Sequence, residues 1–117
     1  RIQFDKPIAG YQLQQKKLAE MVTEITKAQL LTWRLGALRN EEKATSAQIS
    51  MAKRNNVDMA LKIAREERQV LGAMGITGEY TIMRHMMYLE SVITYEGTHD
   101  IHLLITGMDI TGIPAFK

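Results

Sequence analysis

The stretch Thr45-Ser-Ala-Gln-Ile-Ser-Met-Ala-Lys-Arg-Asn-Asn-Val-Asp-Met-Ala-Leu-Lys-Ile-Ala-Arg-Glu-Glu-Arg-Gln-Val-Leu71 decides the fold. Thr45 to Gln48 fit a capping box, in which the hydroxyl and the amide side chain satisfy each other's backbone donors. Ile49, Ala52, Val57, Ala60, Ile63, Ala64 and Val70 then form an apolar stripe, the signature of an amphipathic helix. Gly72 and Gly75 stop it, so the pattern predicts a helix over 46–71. Upstream, Leu18, Met21, Ile25, Ala28, Leu31 and Leu35 recur at steps of three and four, with Lys17, Glu20, Glu24 and Lys27 on the opposite face. That predicts a helix over 8–38, with Asp5 and Pro7 at its start and Gly36 and Asn40 loosening its end.

Downstream, Thr77 is placed to cap a third helix over 78–92, with Ile82, Met83, Met86 and Leu89 apolar. A break at Ile93-Thr-Tyr-Glu-Gly97 precedes a fourth helix over 99–110, capped by Thr98 and ended by Gly112 and Pro114. The expected fold is all-α, an antiparallel four-helix bundle. A helix of 30 residues is about 45 Å long. A compact chain of this length has a radius of gyration near 13 Å, by roughly 2.2·N^0.38. The bundle should therefore be elongated and leave apolar faces for another domain or subunit. Eight Met residues serve either as core filler or as adaptable contact surface.

The composition excludes several classes. The 117 residues carry 15 Lys and Arg against 13 Asp and Glu, a net charge of +2. Residues 1–78 hold 13 basic and 8 acidic groups, and residues 79–117 hold 2 and 5, so neither end is a polybasic or acidic tail. Cysteine is absent, which removes disulfide and thiolate chemistry. No apolar run reaches the roughly 20 residues of a membrane span. The basic residues are spread along helical surfaces, with only Lys16-Lys17 and Lys53-Arg54 adjacent, so no nucleic-acid partner is expected. The chain begins at Arg1 within polar sequence, and we expect it to be a piece of a longer protein.

Three features carry candidate chemistry. In Tyr95-Glu96-Gly97-Thr98 a carboxylate stands beside a glycine at a helix start. Glycine lets a ligand approach the backbone, the following helix offers N–H groups to an oxyanion, and a shielded carboxylate acts as a base. The alternative is a solvated loop Glu96 with Thr98 as a plain cap. Glu96-Gly-Thr-His99 has the Glu-x-x-His spacing of di-iron bundles, but no second such motif exists, and His99 with His102 make an incomplete site. No metal is expected, and His85 is read as a half-buried structural residue. Gln69-Val-Leu-Gly-Ala-Met-Gly75 is a helix stop that also brings backbone donors to one place. No phosphate-binding loop, nucleophile elbow or dinucleotide fingerprint is present.

Arg1-Ile-Gln-Phe4 with Lys6-Pro7 and Gln12, Gln69-Val-Leu-Gly72 with Gly75-Ile-Thr-Gly-Glu-Tyr80, Arg84-His85, Thr94-Tyr-Glu-Gly-Thr-His-Asp-Ile-His102, and Ile110-Thr-Gly-Ile with Ala115-Phe116 follow one another in order. Together they resemble the C-terminal helical domain of the acyl-CoA dehydrogenases, in particular the glutaryl-CoA-oxidising branch. The resemblance covers essentially the whole chain. It implies that residues 1–117 are a C-terminal bundle, with an N-terminal helical domain and a middle β domain outside this chain. It also implies a flavoenzyme using FAD and an acyl-CoA substrate.

On that resemblance Glu96 matches the catalytic base, which removes the α-proton while a hydride passes from the β-carbon to the flavin. Its main-chain N–H matches an enolate-stabilising donor, and Gly97 and Tyr95 match substrate-side positions. Arg1 matches an arginine on the FAD diphosphate, and Gln12 a FAD-contacting glutamine. Gln69, Val70, Leu71, Gly72 and Ala73 match a segment lying along the FAD of a neighbouring subunit, and Thr98 and Phe116 match further FAD contacts. Ala73 departs from the pattern: many relatives have Gly-Gly-Asn-Gly where this chain has Gly72-Ala-Met-Gly75. Phe4 is assigned either to the flavin site or to the core. Tyr95 fits the type that converts glutaryl-CoA to crotonyl-CoA and carbon dioxide; short- or branched-chain acyl-CoA is the alternative. The resemblance further implies a homotetramer, electron-transfer flavoprotein as acceptor, and a bacterial cytoplasm or mitochondrial matrix. The competing expectation is a non-catalytic helical interaction module.

Overall fold

The computed structural model describes residues 1–116; Lys117, the last residue of the expected 1–117 domain, lies outside the described residues. Four helices carry the fold: α1 (Gln12–Asn40), α2 (Ser46–Val70), α3 (Ile82–Val92) and α4 (His99–Thr111). The residues between α1 and α2 are few, so these two long helices run antiparallel. Cross-links along the pair show the register. Lys17 Nζ meets Glu66 Oε2 at 2.9 Å and donates to Gln69 Oε1 at 2.6 Å, while Asn56 Nδ2 donates to Thr32 Oγ1 at 2.8 Å. α2 packs against α1, α3 and α4 and is the axis of the bundle. The expected elongation is present: the molecule measures 58 × 25 × 24 Å and its radius of gyration is 17.8 Å.

The capping box forms as expected. Gln48 N donates to Thr45 Oγ1 at 3.2 Å, and Thr45 N to Gln48 Oε1 at 3.0 Å. α4 is capped by Thr98 and closed by Gly112 in the left-handed region, also as expected. The core is narrow and built of small side chains: Ala28, Ala47, Ala52, Leu61, Ala64 and Ile82 are buried, with Ser50 and His102. Small residues let the helices approach closely, and α2 contributes most of them because neighbours surround it.

Several expectations need correction. The first helix starts at Gln12, because Ile2–Gln3 (β1) and Lys6–Pro7 (β2) pair as a short antiparallel hairpin, with Ile2 opposite Pro7. Phe4 and Asp5 turn that hairpin with φ of 52° and 60°, the primed geometry that suits strand twist. A single 3₁₀ turn, Ile8–Gly10, and an extended Tyr11 follow before the helix begins. Phe4 is not a core residue, since it stands 88% exposed at the hairpin tip. At its other end α1 runs unbroken through Gly36 to Asn40.

On α1, Met21, Leu31 and Leu35 are half-buried, but Leu18 and Ile25 stay exposed at the edge of the stripe. Lys17, read as outward-facing, reaches α2 instead. Helix α3 begins at Ile82 rather than 78: residues 77–81 are turns and bends that follow the 3₁₀ segment Gly72–Ile76, and the Thr77 hydroxyl donates back to Met74 O at 2.8 Å instead of capping α3. His85 is exposed, not half-buried. Leu13, Val22, Leu30 and Trp33 give α1 an apolar outer surface that no element among the described residues covers.

Candidate functional site

The break between α3 and α4 is a tight, ordered turn. Thr94 N and Tyr95 N donate to Ser91 O at 3.0 and 3.1 Å, which closes α3. The backbone then enters the left-handed region at two consecutive residues, Glu96 (φ 55°) and Gly97 (φ 90°), before Thr98 returns to extended geometry. Thr98 Oγ1 accepts from Ile101 N at 3.3 Å and starts α4. Left-handed backbone at a residue with a Cβ costs roughly 1–2 kcal/mol, so Glu96 is held there by its surroundings.

Two side chains do the holding. Lys53 of α2 donates to three successive carbonyls of the turn: to Tyr95 O in a short bond, to Gly97 O at 2.7 Å and, more weakly, to Glu96 O at 3.3 Å. His102 of α4 lies buried beneath Gly97, and a Cβ built on Gly97 would stand 2.9 Å from its Nε2 and 3.0 Å from its Cε1. Glycine is therefore needed at 97 for space as well as for φ. Neither ring nitrogen of His102 has a hydrogen-bond partner among the described residues. Sequence reasoning missed Lys53, which counted only as half of a basic pair; nothing local marks it, since its partners lie more than forty residues away.

Glu96 and Tyr95 are exposed, and Gly97 is half-buried. The described residues present the carboxylate but do not cover it.

A second cluster forms at the end of α2. Arg1 Nη1 donates to Leu71 O at 3.0 Å. Gly72 adopts φ 62°, and a Cβ there would fall 2.2 Å from Arg1 Nη1, so the absent side chain is what admits the guanidinium. Arg1 is itself exposed and keeps further N–H donors for an external acceptor. This cradle fits a phosphate, because a guanidinium fork matches phosphate oxygens and backbone without a side chain lets them approach.

The structure thus brings Arg1 to Leu71 and Gly72, and Tyr95, Glu96, Gly97 and Thr98 to one turn. No hydrogen bond or ion pair joins the two groups among the described residues. Gln69 turns its amide oxygen to Lys17, Gln12 is the exposed first residue of α1, Val70 is half-buried, Ala73 is exposed in the 3₁₀ segment, and Phe116 is 43% exposed. Among the described residues no cluster of three or more His, Asp or Glu is placed to hold a metal ion. No helix there is long and apolar enough to cross a membrane.

Residues 1–111 match the family described as "Acyl-CoA dehydrogenase, C-terminal domain", and the chain belongs to that family. It is similar over its whole length to the crystal structure of glutaryl-CoA dehydrogenase from Mycobacterium smegmatis, with 52% identity and a TM-score of 0.97, covering 30% of that chain. The structure of a glutaryl-CoA dehydrogenase from Mycobacterium smegmatis in complex with FADH2 is 50% identical at the same TM-score and the same coverage of both chains. The short-chain-specific acyl-CoA dehydrogenase of Megasphaera elsdenii is 34% identical over 107 residues, which are 92% of this chain and 28% of that protein. The chain thus spans less than a third of the length of these relatives.

Proposed function

We propose that this chain is the C-terminal bundle of a FAD-dependent acyl-CoA dehydrogenase in which Glu96 is the catalytic base. One observation carries the reading: a carboxylate on a left-handed residue, beside a glycine that admits no side chain, at the N-terminus of α4. Family membership supports it.

In this reading Arg1 and the Gly72 backbone hold the diphosphate of FAD, and Gln12, Gln69, Val70, Leu71, Ala73, Thr98 and Phe116 supply further contacts to FAD of the same or a neighbouring subunit. Bound FAD supplies the two-electron acceptor for the hydride leaving the substrate's β-carbon. Glu96 takes the α-proton. The Glu96 N–H donates to the thioester oxygen as negative charge grows there, an oxyanion-hole arrangement. Gly97 presents bare backbone to the thioester, its Cβ direction being taken up by His102, and Tyr95 lies against the acyl chain. Other domains of the longer protein close over Glu96 and exclude water from the reacting atoms.

We further propose glutaryl-CoA as the substrate, with loss of carbon dioxide to give crotonyl-CoA. The 52% identity to a glutaryl-CoA dehydrogenase and the presence of Tyr95 support this. The short-chain-specific relative supports a short acyl-CoA as the second reading. The uncovered apolar surface of α1 supports assembly into a homotetramer. Electron-transfer flavoprotein is the proposed acceptor, by family analogy.

The test is Glu96→Gln in the full-length protein. Loss of a general base lowers turnover roughly 10²- to 10⁴-fold, and the flavin absorbance should remain. Near-normal turnover would remove Glu96 from the role of base. Carbon dioxide release from glutaryl-CoA, set against turnover of butyryl-CoA, decides the substrate.

A further inference from the structure

Lys53 is the one side chain that reaches the Glu96 turn from another helix in the hydrogen bonds described above, and its situation is unusual. It makes no ion pair among the described residues, whereas Lys16, Lys17, Lys27, Lys43 and Lys62 all do. Its ammonium is instead committed to the carbonyls of Tyr95, Glu96 and Gly97, with the Tyr95 ring centroid 5.7 Å away. It also sits beside the residues that open α4, where the helix dipole disfavours a cation and favours an anion. A residue chosen only to stabilise that helix start would be acidic.

The geometry of the peptide group supplies the consequence. No peptide bond among the described residues is cis. In a trans peptide the C=O and the following N–H point in opposite directions. Three carbonyls gathered on Lys53 therefore turn three N–H groups, those of Glu96, Gly97 and Thr98, to the side away from α2. None of the three finds an acceptor among the described residues. A cation on one side of a peptide also polarises it, which strengthens the N–H on the other side as a donor.

We propose that Lys53 is a positioning residue for α-proton abstraction. By holding the Tyr95 and Gly97 carbonyls it locks the left-handed Glu96 backbone, aims the Glu96 N–H at the thioester oxygen and strengthens it as a donor. This inference rests on the assignment of Glu96 and its N–H to an acyl-thioester site. Lys53 touches neither substrate nor cofactor; it acts through the Tyr95–Glu96 peptide.

The experiment uses the full-length holoenzyme and a 3-oxoacyl-CoA, a ligand whose acidic α-carbon ionises to an enolate without turnover. The apparent pKa of the bound ligand, read from enolate absorbance, reports how well the site holds charge on the thioester oxygen. Lys53→Met keeps an unbranched stem and removes the ammonium. It should raise that pKa by about one unit or more, equivalent to a tenfold or greater loss of enolate. kcat should fall roughly 10- to 100-fold, with KM and flavin content near the parent values. Should Lys53→Met not yield folded holoenzyme, Lys53→Arg is measured instead. It keeps the charge but offers a planar fork to three convergent carbonyls, and a smaller rise in the same direction is expected. An unchanged ligand pKa and kcat in either folded variant overturns the proposal while leaving the acyl-CoA site standing. Failure of the parent enzyme itself to ionise the bound ligand overturns both the site and the role of Lys53.

Discussion

Gly97→Ala is the sharpest probe of the Glu96 turn, because two separate costs meet at one atom. The new Cβ would lie 2.9 Å from His102 Nε2, 3.0 Å from Cε1 and 3.6 Å from Cδ2. His102 is only 8% exposed, so its ring has no easy route out. Forcing a methyl group into such a contact costs about 1–3 kcal/mol. Placing alanine at the Gly97 φ of 90° adds about 1–2 kcal/mol of backbone strain. The combined loss is expected at about 2–5 kcal/mol. A double-mutant cycle separates the two parts. His102→Ala removes the ring but leaves φ unchanged, so the pair Gly97→Ala and His102→Ala should couple by about 1–2 kcal/mol. Urea unfolding of the 117-residue chain, followed by far-ultraviolet circular dichroism at low concentration, gives the four free energies. Coupling below roughly 0.5 kcal/mol would mean that the ring does not exclude the side chain, and the account of Gly97 would fail.

Three further outcomes are expected. Gly72→Ala places a methyl group 2.2 Å from Arg1 Nη1 in a left-handed backbone, so the guanidinium must leave its seat on Leu71 O; flavin retention on gel filtration of the full-length protein should drop while helical content holds. Thr45→Ala removes the hydroxyl half of the capping box at the start of α2 and should cost about 1 kcal/mol in urea unfolding. Lys17→Met breaks the links to Glu66 and Gln69; because Glu66 is half exposed, the stability change should stay within about 1 kcal/mol.

Legibility in the sequence followed the range over which each feature is determined. Thr45 with Gln48, Thr98 ahead of α4, and Gly112 after it each involve groups within four residues of one another, and all three stand where the sequence puts them. The α3 stripe of Ile82, Met83, Met86 and Leu89 likewise turns inward as a set. The α1 stripe was only partly right. Periodicity marks an apolar side of a helix but not how wide a strip the neighbour covers, and here α2 leaves Leu18 and Ile25 outside. The hairpin at Ile2–Pro7 was hidden because Asp5 and Pro7 are equally good residues for a helix start. Glu96, Gly97 and Thr98 could be named as a candidate site from their order alone.

The sequence by itself determined the four helices, the caps of α2 and α4 and the glycines at 72 and 97, because these follow from local hydrogen bonding and side-chain period. Only the tertiary structure decided that Lys53 grips the carbonyls of the Glu96 turn, that His102 fills the space a side chain at 97 would need, and that Arg1 rests on Leu71 beside Gly72. Each of those contacts joins chain segments brought together by packing around α2, and no local pattern encodes the meeting of residues whose proximity is set by the burial of other residues.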